Sequence, residues 1–171
     1  MKVEILRHPT QEDWDRCKML ALNTVSKKMV NAATDTWKEQ MLASEHSPIR
    51  TLMFTIKLTI PYYTSVHFVR HKFGVEHYVT SQRNDRQDNY DRTKAPQDMP
   101  VVHIMDINAQ ELIFMAHRRL CNQADAVTQF VMRAIVKDVL KTNPEFKDVL
   151  VPNCIYRGGR CTEFERCSKN D

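Results

Sequence analysis

Apolar and polar positions along the chain follow two rhythms. Over residues 52–60, Leu52, Phe54, Ile56, Leu58 and Ile60 alternate with Met53, Thr55, Lys57 and Thr59. Period two with β-branched residues predicts a strand buried on one face. Val3–Leu6 reads as a short opening strand closed by His8-Pro9, and Val101–Met105 as another short apolar strand. His77–Ser81 reads as extended. Elsewhere the period lengthens. Thr10, with Glu12 and Asp13 behind it, starts a helix running to about Ser26, and a second fits Ala32–Leu42. Residues 44–48 break the pattern.

Two later helices carry most of the candidate chemistry. Pro61 suits a first turn, and Tyr62, Val66, Val69 and Phe73 then form an apolar stripe that Gly74 terminates. Tyr63, His67, Arg70 and His71 fall on another, polar face. Asn108 followed by Glu111 reads as a capping box. It opens one long helix whose core side is Leu112, Ala116, Leu120, Ala124, Val127, Val131, Ile135 and Val139, up to Asn143-Pro144. Arg119, Asn122, Gln129 and Arg133 recur on another face. Residues 83–100 are charged and proline-containing, a long loop of the kind that tends to be functional or mobile.

Composition narrows the classes. A chain of 171 residues, 42% hydrophobic and 27% charged, suits a single globular domain. The net charge of +4 suits a small anionic ligand better than nucleic acid. Arg83, Arg86 and Arg92 are interleaved with Asp85, Asp88 and Asp91, which also counts against a phosphate-tracking surface. No apolar run approaches bilayer length and the first ten residues lack a signal-peptide core, so an intracellular, cytoplasmic protein without membrane partners is expected. The five cysteines include no Cys-x-x-Cys pair, which favours free thiols over a disulfide framework. Only three glycines are present, so neither a Gly-x-Gly-x-x-Gly fingerprint nor a P-loop can form, and a bound nucleotide must be held by side chains.

The densest chemistry is His67-x-x-Arg70-His71-Lys72. A guanidinium offers a planar fork to phosphate oxygens, lysine adds a point charge, and imidazole can stack on or hydrogen-bond a ring. A solvated cationic helix end would use the same residues. Thr80, Ser81 and Arg83 would suit a second phosphate, or simply a strand end entering a polar loop. His67 and His71 have metal-ligand spacing, but Phe68 stands where a metalloprotease needs its glutamate, so no metal is assigned. Cys154, Cys161 and Cys167 do not match a zinc-finger spacing.

These elements together resemble the flavin-dependent thymidylate synthases, the ThyX family. The family signature is Arg-His-Arg, seven residues, then serine. Here Arg70-His71-Lys72 is followed by Phe73–Val79, Thr80 and Ser81. His46-Ser47-Pro48 resembles the family's His-x-Pro element, Arg119-Leu120-Cys121-Asn122 its arginine-bearing helix motif, and Pro152-Asn153-Cys154 with Gly159-Arg160-Cys161 its tail. The resemblance spans about residues 44–167. It implies an α+β fold in which an antiparallel sheet packs with helices, including one long C-terminal helix. It implies a homotetramer with sites at subunit interfaces. Its chemistry is the reductive methylation of dUMP to dTMP, with FAD as cofactor, NADPH as reductant and methylenetetrahydrofolate as co-substrate. Carried over, Arg70, His71, Lys72, His46, Asn122 and Arg119 would hold FAD. Thr80 and Ser81 would take the catalytic serine position, and His67, Arg83 and Gln129 would meet the substrate.

The sequence departs from the family mainly on the substrate side. His67 replaces a glutamine, Thr51 a histidine and Gln129 an arginine, and Tyr78 or Val79 stands where a glutamate is usual. A non-catalytic flavin- or nucleotide-binding protein with a regulatory or structural role is therefore the alternative.

Overall fold

A computed structural model describes residues 1–86 and 90–167. Asp88, one of the interleaved acids, lies outside the described residues. The chain runs through β1 (Lys2–Arg7), α1 (Gln11–Asn23), α2 (Asp35–Ser44), β2 (Met53–Pro61), α3 (Tyr62–Phe68), β3 (Val75–Val79), β4 (Pro100–Asn108), α4 (Ala109–Arg119), α5 (Ala126–Thr142) and α6 (Asn153–Tyr156). The fold is α+β: one four-stranded sheet in the order β1-β2-β4-β3, antiparallel at every pairing described. No helix among the described residues is long and apolar enough to cross a membrane.

Register explains the core. β2 pairs with β4 so that Phe54 faces Ile107, Ile56 faces Met105, Leu58 faces His103 and Ile60 faces Val101. All eight side chains are buried. The period-two pattern of β2 thus continues across the sheet, and His103 is the one polar member of those rows. Burying an aliphatic or aromatic side chain of this size stabilises by about 1.5–3 kcal/mol. Trp14 and Cys17 from α1, Leu42 from α2, Val131, Ile135 and Val139 from α5, and Phe146 complete the same cluster.

Local signals start the helices as the sequence predicts in several places. Asp13 N–H donates to Thr10 Oγ1 at 3.3 Å and Thr10 N–H to Asp13 Oδ2 at 3.0 Å, a reciprocal cap for α1. Asn108 Oδ1 accepts from Glu111 N–H at 2.9 Å and starts α4.

Three expectations are corrected. The helix expected from Pro61 to Gly74 ends at Phe68. Its packed face is Thr64, Ser65 and Phe68, whereas Val66 and Phe73, half of the expected apolar stripe, are exposed. Phe68 enters the hydrophobic core and Ser65 is held by His103, so tertiary packing and one polar contact choose the buried face over the expected spacing. The single long helix expected over 109–142 is two helices, α4 and α5. Asp125 Oδ2 accepts Thr128 N–H at 2.9 Å and begins a new helix after a break at 120–125. Finally, Glu111 does not return its carboxylate to Asn108 as a capping box requires; it turns to His71.

Candidate functional site

The turn after α3 places His71 inside and its neighbours Arg70 and Lys72 outside. His71 is 5% exposed. Arg119, at the end of α4, donates from Nε to His71 Nε2 at 3.1 Å and from Nη2 to the His67 carbonyl at 2.7 Å. A guanidinium can only donate, so Nε2 accepts and the ring proton sits on Nδ1. That proton points at Glu111 Oε1, 2.7 Å away. Glu111 therefore fixes the tautomer and the tilt of the ring, and Arg119 locks its far side. The Phe114 ring meets His71 nearly edge-on at 5.7 Å, and Arg118 lies 5.8 Å from the same ring.

A second polar chain holds the turn from beneath. His77 Nε2 lies 2.7 Å from the His71 carbonyl, His77 Nδ1 lies 2.9 Å from His103 Nε2, and His103 Nδ1 lies 3.0 Å from Ser65 Oγ. A carbonyl can only accept, so with neutral rings one polarity runs through the chain. Ser65 donates to His103, His103 to His77, and His77 to the carbonyl of His71. Burial, with His77 beside it, presses His103 from the usual 6.5 down to about 4, which keeps that ring neutral at physiological pH.

Above the turn is a cavity of about 350 Å³ lined by Arg70, His71, Phe114, Arg118, Arg119, Cys121, Gln123, Ala124 and Glu163. Desolvation lowers the Arg119 guanidinium from its usual value, and Arg70 and Arg118 nearby lower it further. Guanidiniums stay charged in proteins, so this is a locally positive site. The lining acid Glu163 pairs with Arg118 at 3.1 Å. A second cavity, of about 420 Å³, shares Phe114 with the first and is lined also by Glu111, Glu45, Arg50, Phe73, Gly74, Asn108 and Gln110. Cavities of this size suit small molecules, and an aromatic wall beside guanidiniums suits an anion that carries a ring.

The structure thus brings together Arg70, His71 and Arg119 of the expected cofactor residues. Lys72 is exposed beside them. His46 is exposed and stands at the start of the 3-10 turn Ser47–Thr51, next in sequence to Glu45 of the second cavity. Asn122 lines a different cavity, with the cysteines. Of the expected catalytic and substrate residues, only His67 touches this cluster, through its carbonyl, and Thr80, Ser81, Arg83 and Gln129 line neither cavity. Thr80, just past β3, donates to the Val102 carbonyl. Ser81 Oγ accepts from Arg83 N–H, and Arg83 binds Asp85 through two nitrogens at 2.9 and 2.6 Å. His67 gives its carbonyl to Arg119. Gln129 bonds the Ala124 carbonyl and Arg133.

Sequence reasoning passed over Glu111, Phe114, Arg118, His103 and Ser65. Glu111 was hidden by its role near the Asn108 cap. The only trace of His103 was an imidazole inside an otherwise apolar strand, a pattern worth pursuing wherever a second histidine stands on a neighbouring strand. No family model matches this chain, and no curated protein matches it.

Proposed function

We propose that the cavity over the Arg70–Lys72 turn holds the anionic part of a flavin nucleotide, and that the protein is an FAD-dependent enzyme of the thymidylate synthase type acting on dUMP or a related pyrimidine nucleotide. The observation that carries this is that Arg70, Arg118 and Arg119 line one cavity with a histidine whose ring Arg119 and Glu111 hold between them. This is the segment on which the resemblance to flavin-dependent thymidylate synthases rests. FAD, once bound, would supply the hydride chemistry, with NADPH as its reductant and methylenetetrahydrofolate as the one-carbon donor. The residues of this chain bind and orient. Arg70 and Arg119 neutralise phosphate, His71 presents a rigid ring edge, and Phe114 gives an apolar wall. Thr80, Ser81 and Arg83 would serve a site shared between subunits of a homotetramer, since within one chain they lie apart from the cavity.

Flavin uptake is the direct test. The purified protein titrated with FAD should quench flavin fluorescence at one equivalent per chain. Arg70→Ala, an exposed change, should weaken uptake by about 10- to 100-fold, the value of one charge-assisted hydrogen bond. With NADPH and methylenetetrahydrofolate, the holoprotein should release tritium from 5-tritiated dUMP. Absence of flavin uptake overturns the reading. Flavin uptake without turnover of any pyrimidine nucleotide leaves the second reading, a non-catalytic flavin-binding protein. That reading is favoured by Arg83, whose guanidinium is already committed to Asp85.

A further inference from the structure

The flavin reading gives the cysteines no chemical role and places only Cys121 in the wall of its cavity, yet four of the five line another cavity together. Cys121 follows α4, Cys154 lies in α6, and Cys161 and Cys167 lie in the tail; all four line a space of about 470 Å³. None of the four is in a disulfide. Three separate segments of chain are needed to bring them there. Burial raises the Cys121 thiol, and Glu163, Cys154 and Cys167 close by raise it further, as neighbouring anions would.

The tail is shaped around this cavity. Gly158 and Gly159 both take positive φ, 64° and 92°, and Gly159 N–H donates to the Cys154 carbonyl at 2.8 Å. The chain therefore reverses between Cys154 and Cys161, a turn that side-chain-bearing residues rarely make. Beyond it, Asn153 bonds Thr162, Gln123 bonds the Glu165 carbonyl, and Asn122 Nδ2 lies 3.6 Å from Cys167 Sγ. Hydrophobic burial contributes little here: Phe164 is wholly exposed. A segment of this kind, without a core of its own, is the sort that a structural metal or disulfides fasten elsewhere among small folds.

We propose that Cys121, Cys154, Cys161 and Cys167 form a tetrathiolate site for one zinc ion that fastens the C-terminal tail to the end of α4. Four thiolates select a soft, tetrahedral ion. On binding, each thiol gives its proton to solvent and each sulfur donates a lone pair, so one Zn²⁺ displaces four protons and the site carries a net charge of −2. Arg133 and Lys137 line the same cavity and are placed to offset that charge. No three donors among the described residues converge at ligating distance. The ion must therefore draw in residues 161–167, which contain no helix or strand to resist it.

Zinc and cobalt test this on the full chain, purified reduced and metal-free. One equivalent of Zn²⁺ should bind per chain. It should protect four thiols from a colorimetric disulfide reagent, with buried Cys17 slow in both states. Co²⁺ in place of zinc should give thiolate-to-metal charge-transfer absorption and the intense visible bands of a tetrahedral site. Cys161→Ser and Cys167→Ser should each weaken zinc binding by more than the roughly 100-fold that loss of a ligand's outer partner can cost. If either variant folds poorly, thiol protection in the unaltered chain decides. The proposal is overturned by a reduced chain that takes up no stoichiometric zinc, by a cobalt spectrum without thiolate bands, or by zinc uptake that both variants leave unchanged. Flavin uptake is a separate readout, so either reading can fail alone.

Discussion

His103 is an imidazole placed among hydrocarbon, and its protonation has a defined cost. The ring is 0% exposed and already uses both nitrogens, one toward Ser65 and one toward His77. Desolvation, then the neighbouring His77, lowers its pKa to about 4 in the folded chain, against the 6.5 of a solvated imidazole in the unfolded one. Between these values the unfolded chain binds a proton that the folded chain refuses, so stability falls as pH falls through this window and is unaffected by this group above it. The full effect is about 3 kcal/mol, since a tenfold change in proton affinity is worth about 1.4 kcal/mol. Urea unfolding at stepped pH values should show this loss in the unaltered protein. His103→Gln should start less stable at neutral pH and lose correspondingly less on acidification. Parallel pH profiles for the two proteins would place the proton elsewhere.

At the scale of elements, the junction of β3 with α4 depends on one close approach. Gly74 has φ of +74°, and a Cβ there would lie 2.4 Å from Asn108 Nδ2. Asn108 is committed twice, capping α4 through Oδ1 and donating its N–H to the Gly74 carbonyl at 2.8 Å. Gly74→Ala should therefore cost about 2–3 kcal/mol, from the left-handed backbone and a displaced cap. Asn108→Ala should cost less in the Gly74→Ala background than alone, because the cap is already disturbed there. Strict additivity by urea unfolding would refute the steric link. Gly74 also shows how far sequence pattern carries. Read as a helix terminator, it in fact lies well beyond the end of α3 at Phe68, where its missing side chain admits Asn108. Strand β2 and the caps at Thr10 and Asn108 were legible because their causes are local. The early end of α3 was not, because His103, which holds Ser65 on its buried face, and the core that receives Phe68 are distant in sequence. The break before α5 did carry a local sign, Asp125 followed by Thr128, hidden beneath an unbroken series of apolar residues. The site divides the same way. Arg70, His71 and Arg119 stand in recognisable motifs, whereas Glu111, Phe114 and Arg118 join them only because α4 packs over the turn.

The first helix is tied to the segment that follows α5 by contacts across most of the sequence. Trp14 Nε1 donates to Glu145 Oε1 at 2.7 Å across 131 positions of sequence. Asn143 Nδ2 donates to the same oxygen at 3.1 Å and to the Pro9 carbonyl at 3.0 Å. Phe146 sits between Trp14 and Phe54, with ring centroids 6.1 and 5.4 Å away. The α1 segment, the end of α5 and the centre of the sheet therefore share one buried knot. A carboxylate in such a place is stabilising only while its donors are present, because an under-bonded buried carboxylate keeps its desolvation cost. Trp14→Phe keeps a ring and removes one donor, leaving Glu145 with Asn143. It should destabilise by about 1–3 kcal/mol. Glu145→Gln in the Trp14→Phe background should recover part of the loss, since the neutral amide is cheaper to bury. Because the knot joins all three parts, far-UV circular dichroism and fluorescence of the remaining Trp37 should report one coincident unfolding transition in both proteins. Separate transitions would show that the amino-terminal segment melts alone and that the Trp14–Glu145 contact is not what couples it to the sheet.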